Sequence, residues 1–482
     1  MRLEYFTMDN SINSLLRSLL AIGITVLGIR LISLGFYPLY DTTEARYGEI
    51  ARLMLETGNW ITPLFDYDVP FWGKPPLQTW LSAASFGVFG VNEFSARLPH
   101  FLCSLITLLL TYQFANQFFG IRRAVISIIV LSASVGFTVT AGTVMTDSAL
   151  LMATTLAMFS FWRCFQGYNA TTNGLLFFAA LSLGMLIKGP VAVVIIGIAL
   201  TVWSISQRCL MSAIASLPWG KGLLLFTVLT LPWYVWAELR TPGFLEYFIV
   251  GEHIQRFLVS GWQGDLYGTA HKEPRGMIWL FWIGAAFPWS LVLIKQFITF
   301  IVRNAKGSPQ KPTPPITSYL LCWMIAPLLL FTLSGNILPA YVLPGITAMG
   351  LLVAQRIHSQ RWLATLALLA YGLLLFFIGW VSLGQLSKTS EKELISHHMH
   401  QINKTSLYYW KKRPFSAQFY SRGHAKLLTD ENTLANLLTN KDEFYLVITH
   451  TEESNQLSIV SRQCQRIEQT HDRTLFHCSN AN

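Results

Sequence analysis

Between Tyr37 and Pro76 the chain reads YPLYDTTEARYGEIARLMLETGNWITPLFDYDVPFWGKPP, which holds six acidic residues, three basic ones and five prolines although only 12% of the whole chain is charged. That mixture points to electrostatic work on a charged substrate. Lys74 precedes Pro75 and Pro76, which restrain its backbone, so its ammonium is presented from a stiff loop. A lysine is a compact charge with three donors and suits a phosphate; Arg46 and, downstream, Arg256 carry the planar fork that grips phosphate oxygens in pairs. The plainer use of these cations is to pair with Asp41, Glu44 or Glu252, and the two uses are compatible. Asp147, in GTVMTDSALL between two apolar runs, serves equally as a helix N-cap before Ser148 or as a functional carboxylate.

The elements that position these residues are membrane spans. The 482 residues are 52% hydrophobic, with a mean hydropathy of +0.43, 16 Trp and 32 Phe, an apolar share above that of soluble domains. The net charge of +10 lies in loops between apolar runs, which accounts for it without a nucleic-acid partner. Runs of about 20 apolar residues occur near 19–37, 98–118, 124–142, 148–166, 173–187, 190–206, 221–239, 276–298, 315–334, 339–355 and 362–384, giving eleven candidate spans. The first lacks a small-residue cleavage site and contains Arg30, so it reads as an uncleaved span. Leu77 to Val91 is too short to cross and is expected to lie along the membrane surface, as is a helix over 41–57 with Ala45, Ile50, Leu53 and Met54 opposite Arg46, Glu49 and Arg52.

Loop charge then sorts the faces. Arg17, Arg122, Arg123, Arg163, Arg208, Lys221, Arg303, Lys306, Lys311, Arg356 and Arg361 mark one set of loops as cytoplasmic. The alternate loops bring 38–97, the turn after Thr143, Lys188-Gly189-Pro190, 240–275 and 335–339 to the opposite face. Asp41, Glu44, Arg46, Lys74, Arg97, Asp147, Lys188, His253, Arg256 and Tyr341 therefore converge there. Residues 385–482 change character to polar, with strand-like runs at 445–449 and 457–460 and a helical pattern near 431–438, a small α/β domain on that same outer face. The expected fold is thus an α-helical polytopic membrane domain, 1–384, including the loop 38–97, followed by a C-terminal periplasmic α/β domain, 385–482. Cys464 and Cys478 in the tail can pair in an oxidising compartment; no CxxC or His/Cys cluster suggests zinc, and His397-His398-Met399-His400 reads as a solvated face.

These residues carry a resemblance. EARY and WGKPPLQTWL, then Glu93 to Arg97, TDSALL, LIKGP, GEHIQRF and SGNILPAYVLPG occur in that order across 37–345, and the pattern resembles the protein O-mannosyltransferase superfamily of GT-C membrane glycosyltransferases, especially the bacterial aminoarabinose transferases that modify lipid A. The resemblance implies a sugar donor on undecaprenyl phosphate, membrane-parallel helices in the first outer loop and an active site at the periplasmic boundary of the bacterial inner membrane. It also implies that Arg46 and Lys74 hold the donor phosphate with Tyr47 beside them, and that His253, Lys188 and Tyr341 are the family's histidine, lysine and tyrosine. Two departures stand out. The family's catalytic aspartate falls on Thr43, which shifts an acid role to Asp41 or Glu44, and Gly73 replaces the acid that in relatives joins His253 around a divalent metal.

The chemistry expected is displacement at the anomeric carbon of a polyprenyl-phosphate sugar, in which the site stabilises charge on the departing phosphate. The acceptor expected is lipid A or another envelope glycolipid, and the sugar 4-amino-4-deoxy-L-arabinose. A protein O-glycosyltransferase or glycan-modifying enzyme of the same superfamily is the alternative. A lipid or sugar transporter is the rival class, against which stands the absence of paired, Gly/Pro-broken spans in two matching halves.

Overall fold

The computed structural model describes residues 14–306, 312–383, 389–402, 405–439, 443–449, 460, 463–470 and 473–479. Lys311, the 457–459 part of the expected strand and the expected domain boundary at 384–385 lie outside the described residues. Among those described, seven helices are long and apolar enough to cross a membrane, eight if the pair Met277–Ala285 and Trp289–Ala305, bent by 119°, counts as one span. The eleven apolar runs therefore do not each form one long helix: Pro190–Ser206 has 17 residues, and three other runs are interrupted locally. The run 124–142 breaks into Ile121–Ser132 and Val135–Thr140, the run 276–298 breaks before Pro288, and the run 339–355 opens as a 3-10 turn, Pro339–Gly345, before Ile346–Arg356. Proline has no N–H to continue a helix, and the serine hydroxyls around the first break bond backward to carbonyls, Ser134 to Val130 at 2.8 Å.

The broken segments satisfy one another. Val135 donates its N–H to the Phe287 carbonyl at 3.0 Å, and Trp323 donates its indole N–H to the Pro344 carbonyl at 2.7 Å. Gly136 permits the approach, because a Cβ there would lie 2.8 Å from that of Ala285. Irregular backbone of this kind is tolerated in a membrane protein where it is buried in protein or lines a cavity.

The first outer loop folds as two packed helices, Thr43–Thr57 and Leu77–Phe89, joined by a short hairpin of Leu64–Asp66 and Val69–Pro70. The helix expected over 41–57 runs over Thr43–Thr57, and its charged residues are largely enclosed. Glu44, Glu49 and Arg52 are all buried, and Arg52 binds Glu49 through two bonds of 2.7 Å. The C-terminal domain covers that side.

That domain is a five-stranded sheet in the order Ala425–Leu428, Ser406–Trp410, Phe444–Thr449, Arg473–Cys478, Cys464–Gln469, parallel in the first three strands and antiparallel thereafter. Helices Lys392–Ile402, Phe415–Tyr420 and Glu431–Thr439 accompany it. Cys464 and Cys478 sit opposite each other on neighbouring strands and form a disulfide. His398 meets a carboxylate after all, Glu468 at 2.8 Å, although among the described residues no group of three or more His, Cys, Asp or Glu is arranged to hold a metal.

Candidate active site

A cavity of about 720 Å³ opens between the first loop and the three broken segments. Val135, Val139, Leu280, Phe281 and Leu343 give it an apolar side, and Arg46, Lys74, Lys188 and Arg256 give it a cationic one. Each cation arrives on a different element. Arg46 lies in the first turn of Thr43–Thr57, and Lys74 in the loop before Leu77–Phe89. Arg256 ends a wide π-helical turn, Glu246–Gln255, of a type that recurs at functional sites.

Lys188 is the last residue of Ala170–Lys188, and Asp147 lies in the first turn of the neighbouring Thr146–Phe165 helix. A cation at one helix's C-terminus and an anion at the other's N-terminus each suit the local dipole, and the two meet at 2.6 Å. Asp147 is therefore not the N-cap, which is Met145. Tyr341 completes this corner, with the Lys188 ammonium 4.7 Å from its ring centroid. Gly189 is required next door: its φ is +81°, and a Cβ would lie 2.6 Å from Phe248.

Carboxylates neutralise three of the four cations. Glu252 pairs with Lys74 at 3.1 Å and with Arg256 at 3.0 Å, and Asp265 pairs with Arg256 at 3.2 Å. Burial alone would raise the Glu252 carboxyl, but Lys74 and Arg256 outweigh it and hold the group at about 2. Arg46 differs. It donates to the Tyr267 carbonyl at 2.8 Å and lies 5.2 Å from the Tyr47 ring centroid, its buried Nε has no partner, and among the described residues it meets no carboxylate. The cavity wall therefore carries one cation without a counter-charge.

Sequence reasoning missed several lining residues. Asp265 and Tyr267 sit in the 240–275 segment, where Tyr267 ties two loops together by donating to the Pro70 carbonyl at 2.9 Å and accepting from the Trp72 N–H at 3.0 Å. The acid in GDLYG was a legible signal for Asp265. His271 also lines the cavity, and burial followed by the nearby Arg256 and Arg46 pushes its imidazole down from the ordinary value. Phe415 reaches the cavity from the C-terminal domain, its ring centroid 6.0 Å from the Arg46 guanidinium, and nothing in the sequence announces that.

Other expected residues are brought elsewhere. Arg97 uses all five guanidinium N–H groups: two on Glu44, at 3.0 and 2.7 Å, and the rest on the carbonyls of Leu34, Tyr37 and Pro38. Glu44 also accepts the Val144 N–H at 3.1 Å, and although burial pushes its carboxyl up, Arg97 outweighs this and holds it below the usual range. Asp41 accepts the Ser416 N–H at 3.1 Å and the Ser416 hydroxyl, so it faces the C-terminal domain. Arg413 pairs with Asp66, and Tyr420 and Lys392 meet Glu93 at 3.0 and 2.7 Å along the same seam.

A divalent metal does not fit these side chains. A Cβ at Gly73 would lie 2.9 Å from Phe71, and the ring nitrogens of His253 face the Phe248 carbonyl at 2.7 Å and the Lys188 carbonyl at 3.3 Å. His253 borders a second cavity, of about 410 Å³, which shares Lys74, Lys188, Glu252, Arg256 and Tyr341 with the first as a common wall.

The family described as dolichyl-phosphate-mannose-protein mannosyltransferase matches residues 13–248. An undecaprenyl phosphate-alpha-4-amino-4-deoxy-L-arabinose arabinosyl transferase of Enterobacter sp. (strain 638) is 30% identical over 357 residues, 72% of this chain and 60% of that one. Its namesake from Pseudomonas savastanoi pv. phaseolicola is 30% identical over 332 residues, 67% of this chain and 58% of that one. The matches thus span 58–60% of these relatives' length. The crystal structure of ArnT from Cupriavidus metallidurans bound to undecaprenyl phosphate shares the fold, with a TM-score of 0.79 at 18% identity over 96% of this chain and 97% of that one.

Proposed function

We infer that the chain belongs to the protein O-mannosyltransferase superfamily of GT-C membrane proteins, and on that premise we propose that it transfers a sugar from undecaprenyl phosphate to lipid A or a related envelope glycolipid, the sugar being 4-amino-4-deoxy-L-arabinose. The observation that carries this reading is the wall of Arg46, Lys74, Lys188 and Arg256, in which Arg46 meets no carboxylate among the described residues, facing an apolar side fit for a lipid. As the anomeric carbon–oxygen bond breaks, negative charge grows on the phosphate that leaves with the polyprenol. Donors fixed in advance around that charge stabilise it more than they stabilise the bound substrate.

In this reading Arg46 and Lys74 hold the donor phosphate and Arg256 assists, while Tyr47 and Tyr341 shape the pocket. Lys188 and Asp147 fix one another at its edge. Glu44 and Arg97 hold the first loop to the spans, and Asp41 holds the C-terminal domain. With the cavity's carboxylates already paired, the site favours an acceptor that is itself an ionised phosphate, which needs no base. The disulfide supports an oxidising compartment, so the cavity and the C-terminal domain are assigned to the periplasmic side of the inner membrane.

Mass spectrometry of lipid A and of polyprenyl-phosphate sugars, from cells with and without the gene, tests this. The expected result is a pentosamine mass on lipid A that appears only with the protein. Accumulation of a lipid-linked sugar with unchanged lipid A moves the acceptor to another glycolipid or to protein; no change in either pool overturns the reading.

A further inference from the structure

A second region of the molecule gathers cations without counter-charges. A cleft of about 1090 Å³ opens between the Trp289–Ala305 helix, the start of Pro315–Thr332 and the turn joining Ile346–Arg356 to Gln360–Ser382. It lies among the basic loops, where Arg123 donates to the Ile357 carbonyl at 3.0 Å. Lys295, Thr299 and Arg303 are spaced by four residues along one helix and so present one face to the cleft. Arg356 and His358 face them from the other side.

No carboxylate lines this cleft, and residues 274–390 contain no Asp or Glu at all. Among the described residues the side chains of Lys295 and Arg303 make no ion pair or hydrogen bond, and Arg356 meets only Gln296, at 3.2 Å. The rim is apolar and open: Trp362 is 63% exposed and Phe300 52%. Loop cations that only set topology have no need to converge on one concavity with lipid-facing lips. Cations that bind a lipid headgroup do, because the phosphate must be reached while the acyl chains stay along an apolar edge.

We propose that this cleft binds one anionic phospholipid of the cytoplasmic leaflet, its phosphodiester between Lys295, Arg303 and Arg356 and its chains along Phe300 and Trp362. The inference does not depend on the proposed transfer reaction. The full-length protein in a neutral detergent, titrated with phosphatidylglycerol, phosphatidylcholine or inorganic phosphate, provides the test, read by native mass spectrometry and thermal unfolding. Phosphatidylglycerol is expected to bind and raise Tm, while phosphatidylcholine and phosphate do neither. Lys295→Gln with Arg303→Gln is expected to weaken phosphatidylglycerol about thirtyfold, from the typical contribution of two surface cations. Equal binding of phosphatidylcholine, an equal shift from phosphate, or undiminished binding by the folded variant overturns the proposal. Should the double variant not fold, Arg303→Gln alone, at an exposed position, is expected to lose about fivefold and is read by the same criteria.

Discussion

Arg97–Glu44 and Lys188–Asp147 are both buried ion pairs that anchor a spanning helix at the outer end of the bundle, yet they sit in different settings. The first is saturated: all five Arg97 donors are used, and Glu44 accepts a backbone N–H besides. The second borders a cavity, with an aromatic ring over the ammonium and three more cations around it. A pair whose every donor is spent on the protein holds the fold; a pair with open space beside it leaves charge available to a ligand. Residue type cannot separate the two, whereas the count of satisfied donors can.

The largest expected effect breaks the saturated pair. Arg97→Ala leaves Glu44 buried without its partner and is expected to cost about 3–5 kcal/mol, read as loss of folded protein in detergent. Lys74→Ala sharpens the contrast, since it should keep the fold while lowering turnover by about a hundredfold or more, as removal of a preorganised charge does; normal turnover in a folded variant would end the phosphate assignment. Phe415→Ala, at the point where the C-terminal domain enters the cavity, is expected to reduce kcat/KM by about tenfold, the scale of one lost positioning contact of about 1.4 kcal/mol. Asp41→Asn weakens the seam with Ser416 by about 1 kcal/mol, seen as a lower Tm with turnover kept within a few-fold. Abolished turnover would return Asp41 to the chemistry.

The smallest effect concerns pH. Glu252 is held at about 2, below its ordinary 4.5, so the stability it contributes is fully present above 4.5 and is lost as pH falls from there toward 2. Unfolding scans from pH 8 to 5 should therefore show no slope from this group, and Glu252→Gln should alter the pH dependence only below about 4.5.

Much of this molecule was legible in its sequence, and what escaped did so for identifiable reasons. Apolar runs marked the spans, loop charge sorted the faces, and Lys74, Arg46, Lys188, Asp147, Arg256 and Tyr341 were singled out and do line one cavity. Hydropathy could not show that three runs break, because Val135, Pro288 and Pro339 lie in stretches as apolar as any continuous helix. The breaks are where the cavity forms. Glu44 and Asp41 looked as available as Asp147, since carboxylates near a membrane face look alike until their partners are known.

The sequence by itself determined the helical membrane class, the loops that gather the charges and the residue types able to hold a phosphate, because those follow from composition and local order. Only the tertiary structure decided which carboxylates are spent, that Phe415 joins the cavity, and that the C-terminal domain closes over the first loop. Burial and pairing are set by contacts between segments distant along the chain, Asp41 with Ser416 among them, and neither periodicity nor spacing encodes those.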